Sequence, residues 1–147
     1  VMRTMSKAFG LAGLRIGYMI AGETVAEKFS SQTLPFMPSK PSVYAAIEAL
    51  KDIDYMKENV ELIINERERV GREASNIGVK AYPSNTNFLL MRTCIPYISR
   101  KLEERGIIVA DLSSQMPPEF IRVSIGTREE NNALLKSLRK LIELNCQ

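Results

Sequence analysis

The chain has 147 residues, of which 45% are hydrophobic and 25% are charged, as in an average soluble globular protein. These proportions exclude a disordered or collagen-like chain, and the length predicts one domain or slightly more. The net charge is only +3 and basic residues are interleaved with acidic ones, so we expect no nucleic-acid partner.

The sequence contains no histidine and only two cysteines, Cys94 and Cys146. The lack of histidine excludes Ser-His-Asp and Cys-His catalysis and histidine-ligated metal sites, so any proton transfer must use another side chain. The two cysteines are far apart in the sequence and show no C-x-x-C spacing, which predicts reduced thiols and no metal centre.

The most apolar stretch, Leu11–Ala21, contains Arg15 and is far shorter than the roughly 20 residues that a membrane span needs. No signal-like segment opens the sequence, so we expect a cytoplasmic protein without a membrane partner. The sequence starts at Val1, immediately before its most informative segment, which predicts a piece of a longer protein.

The first half of the sequence predicts a loop and a strand followed by helices. Gly10, Gly13, Gly17 and Gly22 interrupt the opening segment too often for a helix. The apolar residues after the loop predict a strand over Leu14–Ala21, buried on both faces as in an α/β sheet. The elements predicted after this strand are a helix over Thr24–Gln32, a proline-rich loop over Leu34–Pro41, a helix over Ser42–Lys51 and a long amphipathic helix over Tyr55–Asn76.

The second half predicts a small α/β unit. Thr127 and Glu130 form a capping box that opens the last helix. The predicted elements are strands over Val79–Tyr82, Asn87–Arg92, Ile107–Leu112 and Phe120–Ile125, a helix over Pro96–Glu104, and the last helix, with an apolar stripe of Leu134, Leu135, Leu138, Leu141 and Ile142.

Four polar residues near the start suit the binding of a phosphate group: Thr4, Ser6, Lys7 and Arg15. Their hydroxyls and positive charges supply the donors that a phosphate dianion needs. Lys7 lies between a hydroxyl-rich segment and an apolar loop, and an amine in such a place can form a Schiff base. The residues alone leave a second interpretation open, in which Lys7 is an ordinary solvated lysine before a turn.

The segment Thr4–Tyr18, TMSKAFGLAGLRIGY, resembles the cofactor-lysine segment of fold-type I, pyridoxal-phosphate-dependent aminotransferases, and most closely that of histidinol-phosphate aminotransferases. The resemblance continues in order through NFLL at 87–90, GIIV at 106–109 and IRVSIGTREE at 121–130. It implies an α/β fold that forms the C-terminal part of such a transferase. The implied parts are a remnant of the large cofactor-binding domain at 1–52, an interdomain helix at 53–75 and the small α/β domain at 76–147.

The resemblance implies a role for each polar residue of the opening segment. Lys7 would be the catalytic residue, joined to pyridoxal 5'-phosphate as a Schiff base. Thr4, Ser6 and Arg15 would bind the phosphate of the cofactor. Once released from the cofactor, the Lys7 amine would also transfer the proton, so the reaction needs no histidine.

The resemblance implies that Arg122 and Asn87 bind the substrate. The alternation of aliphatic residues at 121, 123 and 125 directs Arg122 to the opposite face of its strand, where solvent is the commonest neighbour. A buried asparagine that stabilises a strand end is the alternative for Asn87. Both structural alternatives stay open at this point.

Two departures from the family pattern stand out. Histidinol-phosphate aminotransferases usually place a second substrate-facing arginine after the Gly-Ile-Ile-x strand, whereas this chain has Ala110 followed by Asp111. In this fold the ring-stacking aromatic residue, the acid that pairs with the pyridine nitrogen and the hydroxyl near the phenolic oxygen come from upstream of the lysine. The chain contains none of these segments.

The implied function is amino transfer in histidine biosynthesis, from histidinol phosphate to 2-oxoglutarate, by a homodimeric transferase with a small-molecule amino donor and a 2-oxo acid acceptor. The chain alone is expected to be inactive. The alternatives are an aromatic or other amino-acid aminotransferase or a decarboxylase of the same fold, and a non-catalytic aminotransferase-like module.

Overall fold

The computed structural model of the chain describes residues 1–32 and 37–146. It forms two compact units, Val1–Val60 and Glu61–Gln147. The boundary between them falls inside the predicted interdomain helix. Residues 34–36 of the predicted proline-rich loop lie outside the described residues. Within the described ranges, no helix is both long and apolar enough to span a membrane.

The first unit contains a two-stranded antiparallel sheet followed by helices. Its strands pair with Met2 opposite Met19 and Thr4 opposite Gly17. The elements are strand β1 (Met2–Thr4), a 3-10 helix (Ala12–Leu14), strand β2 (Gly17–Met19), helices α1 (Glu23–Ser31) and α2 (Lys40–Lys51), and the start of helix α3 (Ile53–Asn76).

The predicted buried strand over Leu14–Ala21 is wrong in its bounds and in its burial. Leu14 ends the 3-10 helix, and Arg15 adopts a left-handed conformation with φ of 49°, which interrupts an extended chain. Only Gly17–Met19 form a strand, and Tyr18 is 42% exposed. Its partner β1 was not predicted, because the three residues MRT show no strand pattern by themselves.

The second unit is a four-stranded antiparallel sheet with strand order β3-β4-β6-β5. Its elements are strands β3 (Lys80–Ala81), β4 (Phe88–Arg92), β5 (Ala110–Asp111) and β6 (Phe120–Ser124), helices α4 (Ile98–Glu103) and α5 (Arg128–Asn145), and the C-terminal part of α3. The predicted order of strands and helices is confirmed.

One face of this sheet packs into the core of the second unit. Alternate residues of β4 and β6 point into that core, where they meet apolar residues of the helices. The buried residues are Val70, Ala74, Val79, Leu89, Met91, Ile95, Ile98, Leu102, Ile121, Val123, Ile125, Leu134, Leu135, Leu138 and Leu141. The predicted apolar stripe of the last helix therefore lies in the core, apart from Ile142, which is half-buried.

The ends of two elements in the second unit have clear local causes. Thr127 and Glu130 form the predicted capping box of α5, with the Thr127 N–H donating to Glu130 Oε2 over 2.7 Å. The strand predicted over Ile107–Leu112 is reduced to Ala110–Asp111. Gly106, with φ of 76°, reverses the chain after α4, and the Ile107 N–H donates to Leu102 O over 3.0 Å instead of pairing with β6.

Cys94 and Cys146 form a disulfide in this structure, so the prediction of two reduced thiols is wrong. They are 52 residues apart in the sequence, but the loop after β4 and the end of α5 bring their Cα atoms to 6.3 Å. This separation lies within the range that a disulfide spans. Sequence spacing alone carries no information on such a long-range approach.

Candidate functional site

The loop between β1 and β2 presents the polar residues near the start of the chain. The ladder of the two strands is extended by one bond, in which the Met5 N–H donates to Ile16 O over 3.1 Å. Residues 4–6 therefore lie beside residues 15–17. This hairpin brings the predicted cofactor-binding residues Thr4, Ser6, Lys7 and Arg15 onto one short segment.

The hairpin depends on a glycine and on a buried methionine. A Cβ atom at Gly17 would lie 2.5 Å from Arg3 O, closer than any side chain permits, so the strands approach as they do only because residue 17 is glycine. Met5 is 1% exposed and its carbonyl accepts from the Leu11 N–H over 3.0 Å. These contacts fix both ends of the loop that carries Lys7.

Lys7 is exposed on this loop, and the two hydroxyl residues before it are linked to each other. The Ser6 N–H donates to Thr4 Oγ1 over 3.1 Å. The Lys7 carbonyl accepts from the Gly10 N–H over 3.0 Å, and Gly10 has φ of 69°. The backbone on both sides of Lys7 is thus held by hydrogen bonds, while its amine is open to a reaction partner.

Arg15 has an unusual backbone conformation that orients its side chain. A non-glycine residue in the left-handed region carries a conformational cost of about 1 kcal/mol or more. Here the backbone N–H of Arg15 and its Nη1 both donate to Ala12 O, over 3.4 and 2.9 Å. The guanidinium is therefore held over the 3-10 helix, on the same hairpin as Lys7.

Ser42 supports this hairpin from α2 and was not recognised in the sequence. Its hydroxyl donates to Leu14 O over 2.9 Å, and the residue is only 4% exposed. Ser39 caps α2, with Pro41 in the first turn, a pattern that does mark a helix start in the sequence. The partner Leu14 is 28 residues away, however, and no local pattern indicates that contact.

Arg122 lies on the face of the second-unit sheet that points away from the core. Ile121 and Val123 are buried at 1% and 3% exposure, whereas Arg122 is exposed, as the alternation predicted. Its guanidinium carbon lies 5.3 Å from the centre of the Phe88 ring, within the range of a cation–π interaction. The contact places the charged end of this exposed side chain near β4.

Position 110 is directly opposite Arg122. Ala110 and Arg122 are partners in the β5–β6 register, so their side chains share one face of the sheet. Both residues line a cavity of about 380 Å3 together with Ile108, Ser124 and other residues. A small residue at position 110 therefore leaves room beside the Arg122 guanidinium.

Asp111 does not pair with the charge of Arg122, because its side chain lies on the other face of the sheet. It is the register partner of Ile121, whose side chain points into the core. The Ser113 N–H donates to Asp111 Oδ1 over 2.8 Å, and this hydrogen bond lowers the pKa of the Asp111 carboxyl. Asp111 is therefore a carboxylate that orders the turn after β5.

Asn87 precedes β4 and is half-buried. Its carbonyl accepts from the Ile125 N–H over 2.9 Å, which joins the start of β4 to the end of β6. Because this bond uses only the backbone, it does not test the structural alternative considered for the Asn87 side chain. Its predicted contact with a substrate stays a prediction.

A polar network holds the turn between β6 and α5, next to the strand that carries Arg122. The Asn131 side chain bonds both the N–H and the carbonyl of Gly126, over 3.1 and 3.0 Å, and also donates to Glu66 Oε2 over 3.0 Å. Arg69 donates to both Glu66 oxygens, over 2.6 and 2.9 Å. Chiefly because of these Arg69 hydrogen bonds, the pKa of Glu66 is lowered to about 2.

Within the described part of the chain, no group of three or more histidine, cysteine, aspartate or glutamate residues is arranged to hold a metal ion.

Comparison with known proteins gives consistent results over nearly the whole chain. Residues 1–138 match the family model of aminotransferase class I and II. The chain is 39% identical over 143 residues to histidinol-phosphate aminotransferase 2 of Archaeoglobus fulgidus, covering 96% of this chain and 42% of the relative. It is 40% identical over 144 residues to histidinol-phosphate aminotransferase of Pyrococcus furiosus, covering 97% and 40%.

Solved structures agree with these relatives. The crystal structure of histidinol-phosphate aminotransferase from Sinorhizobium meliloti, in complex with pyridoxal-5'-phosphate, matches with a TM-score of 0.85 and 35% identity, covering 97% of this chain and 40% of that one. The histidinol-phosphate aminotransferase from Clostridium acetobutylicum matches with a TM-score of 0.87 and 26% identity, covering 97% and 45%.

The chain spans about two fifths of the length of the curated relatives it matches, for example 42% of the Archaeoglobus protein. Its α/β architecture is accordingly part of the fold of pyridoxal-phosphate-dependent aminotransferases, fold-type I. The match of residues 1–138 covers most of the sequence. This chain belongs to the aminotransferase class I and II family.

Proposed function

We propose that the complete protein transfers an amino group with pyridoxal 5'-phosphate as its cofactor, from histidinol phosphate to 2-oxoglutarate. The observation that carries the proposal is the β1–β2 hairpin, which presents the Lys7 amine on the same segment as two hydroxyl residues and an arginine whose side chain donates to Ala12 O. Two relatives at 39% and 40% identity bear the name histidinol-phosphate aminotransferase, which supports this choice of donor.

The residues of the hairpin fit this cofactor chemically. Pyridoxal 5'-phosphate has an aldehyde, which condenses with an amine, and a phosphate dianion, which needs donors and positive charge. Lys7 offers an exposed amine on a loop whose backbone is fixed. Thr4, Ser6 and Arg15 offer hydroxyl and guanidinium donors on the same segment, and Arg15 is pre-oriented by its bond to Ala12 O.

When bound, the cofactor supplies an electron sink for the bond-breaking steps of amino transfer. The work left to this chain is positioning and proton movement. Lys7 would hold the aldehyde carbon, release it to the incoming amine, and then carry a proton at Nζ between the substrate carbon and the cofactor. Arg15, Thr4 and Ser6 would anchor the phosphate, so that the ring keeps its place while Lys7 moves.

Arg122 would bind an anionic group of the donor and of the acceptor in turn. Its planar guanidinium can give two parallel hydrogen bonds to a carboxylate or phosphate. Phe88 supports it from β4, and Asn131 with Glu66 fixes the turn that follows β6. We extend the proposal to Asn87 as a second substrate contact at the start of β4.

The surroundings of Ala110 favour a second candidate, an aminotransferase for aromatic or other amino acids. A second arginine at position 110 would be the register partner of Arg122 and would place a second guanidinium beside it. Ala110 instead leaves space beside the Arg122 guanidinium, in a cavity whose lining includes the apolar Ile108 and the polar Glu130 and Asn131. That combination suits a donor with one anionic group and an apolar side chain.

Lys7→Ala in the complete protein tests the proposed activity. We expect loss of the borohydride-reducible link to pyridoxal phosphate and loss of nearly all turnover, because the amine both holds the cofactor and moves the proton. Lys28→Ala, at an exposed lysine of α1, is the matched control and should leave both unchanged. Near-normal turnover of the Lys7 variant would contradict the proposal.

Ala110→Arg distinguishes the two donors. If Ala110 marks a lost phosphate contact, the added guanidinium should raise kcat/KM for histidinol phosphate relative to phenylalanine or tyrosine, since it would face the phosphate together with Arg122. The measurement is the ratio of kcat/KM values before and after the change, with Ala110→Leu as a control for bulk. An equal change for both donor types would show that residue 110 does not contact the phosphate.

The homodimer, the cytoplasmic location, the place in histidine biosynthesis and the domain boundaries at 1–52, 53–75 and 76–147 belong to the same proposal. The chain by itself should bind pyridoxal phosphate weakly and catalyse nothing, because the residues that stack on the ring and pair with its nitrogen are supplied upstream in this fold. Activity of the 147-residue chain alone would overturn that expectation.

A further inference from the structure

The disulfide between Cys94 and Cys146 lies where small molecules can reach it. Cys94 is exposed in the loop after β4, and Cys146 is half-buried immediately after α5. Disulfides that are open to solvent are the ones that exchange readily with other thiols, whereas those enclosed in a core resist reduction.

Cys94 is held in a fixed position. Its neighbours Thr93 and Ile95 are each 4% exposed. The Thr93 hydroxyl donates to Ile95 O over 3.0 Å and accepts from the Ile95 N–H over 3.2 Å, while the Thr93 N–H donates to Glu119 O over 3.0 Å. This short turn holds the disulfide-bonded Cys94 at the surface.

Cys146, in contrast, follows a helix end with few other attachments. Leu141, at 2% exposure, is the last buried residue of α5 in the described part of the chain, and Leu144 is 75% exposed. Lys101 Nζ donates to Asn145 Oδ1 over 3.4 Å, a long hydrogen bond at the surface. Ile142 and Cys146 also pack partly against the apolar core, and the disulfide adds a covalent link between the last turn of α5 and the loop after β4.

We propose that Cys94 and Cys146 are a reversible redox modification site, whose state decides whether the last turn of α5 is attached or free. The oxidant is a small disulfide such as oxidised glutathione. Two Sγ–H bonds break and one Sγ–Sγ bond forms, and the two electrons and two protons pass to the oxidant, which becomes two thiols. Reduction by a small thiol reverses the step. The core up to Leu141 keeps its packing in both states.

The test equilibrates the 147-residue chain in buffers of oxidised and reduced glutathione and measures two quantities. Non-reducing peptide mass mapping reports the fraction of chains with a Cys94–Cys146 link, and hydrogen exchange reports the protection of residues 142–146. We expect the link to form in oxidising buffer and to be lost in reducing buffer from the folded chain, with loss of protection confined to the end of α5.

Two variants make the result specific. Cys146→Ser should behave as the reduced chain in every buffer, and Leu144→Ser, which changes the same turn but keeps both cysteines, should respond as the unchanged chain does. The proposal is overturned if the link does not form within one chain, if reduced glutathione cannot break it without unfolding, or if the end of α5 exchanges equally in both states. None of these readouts depends on amino transfer.

Discussion

The two units differ in how much of their apolar surface they bury. Among the described residues of Val1–Val60, only Met5, Ser42 and Ala46 are buried, whereas Glu61–Gln147 contains a continuous apolar core. Ile20, Phe29, Tyr44 and other large apolar residues of the first unit are more than half exposed. The unit that carries the proposed catalytic lysine is thus the one with the least packing of its own.

This difference teaches that hydrogen bonds and one buried side chain, Met5, hold the Lys7 loop in this chain without a continuous apolar core. The loop bonds of Met5, Ser6 and Arg15 and the support of Ser42 give it a shape. Each such bond contributes only about 0.5 to 1.5 kcal/mol to stability. The second unit instead gains its stability from buried apolar surface, which is the larger source in most domains.

The largest expected effect is a difference in amide protection between the two units. Hydrogen exchange of the 147-residue chain should show slow exchange in β4, β6 and α5 and fast exchange in β1 and β2, because core amides open only with global unfolding. The exposed apolar residues of the first unit should also cause self-association, measurable by light scattering. A monodisperse monomer with equal amide protection in both units would contradict the expected difference in stability between them.

A smaller effect should follow from single substitutions in the two units. Leu138 is fully buried, so Leu138→Ala should lower the free energy of unfolding of the second unit by about 2 to 5 kcal/mol. Ile47 is 44% exposed on α2, and Ile47→Ala should change stability by less than about 1 kcal/mol. Urea unfolding followed by circular dichroism measures both, and similar losses would contradict the contrast in packing.

The next expected effect concerns Glu66, a half-buried carboxylate of the second unit, and it is seen only as a dependence of stability on pH. The pKa of Glu66 is lowered to about 2 in the folded chain, below its usual 4.5, so its contribution to stability is complete above about pH 4.5 and is lost as pH falls towards 2. Glu66→Gln should therefore cost roughly 2 to 3 kcal/mol at pH 7. The cost should shrink as the pH is lowered from 4.5 to 2.

The matched control for that change is Glu61→Gln, at an exposed position on the same helix. It should lower stability by less than about 0.5 kcal/mol, as surface substitutions usually do. A Glu66→Gln penalty that stays constant between pH 7 and pH 2 would mean that the carboxylate charge is not what holds the turn at Gly126.

Much of the second unit could be predicted from the sequence, because its signals are local. The capping box at Thr127 and the alternation around Arg122 are patterns within a few residues, and the structure confirms both. The long helix α3 was predicted over nearly its full length for the same reason. The strand at Ile107–Leu112 was overextended, since nothing local shows that the turn after Gly106 takes up the Ile107 N–H.

The first unit and the cysteines could be predicted less well. A run of apolar residues indicated a buried strand at Leu14–Ala21, yet Arg15 adopts a left-handed conformation that only its bonds to Ala12 explain. The disulfide joins Cys94 and Cys146, which are 52 positions apart in the sequence. The hydrogen bond from Ser42 to Leu14 O joins residues that are 28 positions apart. Contacts of this kind depend on tertiary structure, so a single sequence gives no sign of them.

The hydrogen bond from Ser42 to Leu14 O also sets an order of events during synthesis of the chain. The hairpin is local and can form as soon as its residues leave the ribosome. Ser42 emerges 28 residues after Leu14, and it can donate to Leu14 O only once the first turn of α2 has formed around it. At about 5 to 20 residues per second, that interval lasts a few seconds. During it the lysine loop exists without its support, and it reaches its final geometry only when α2 has closed onto it.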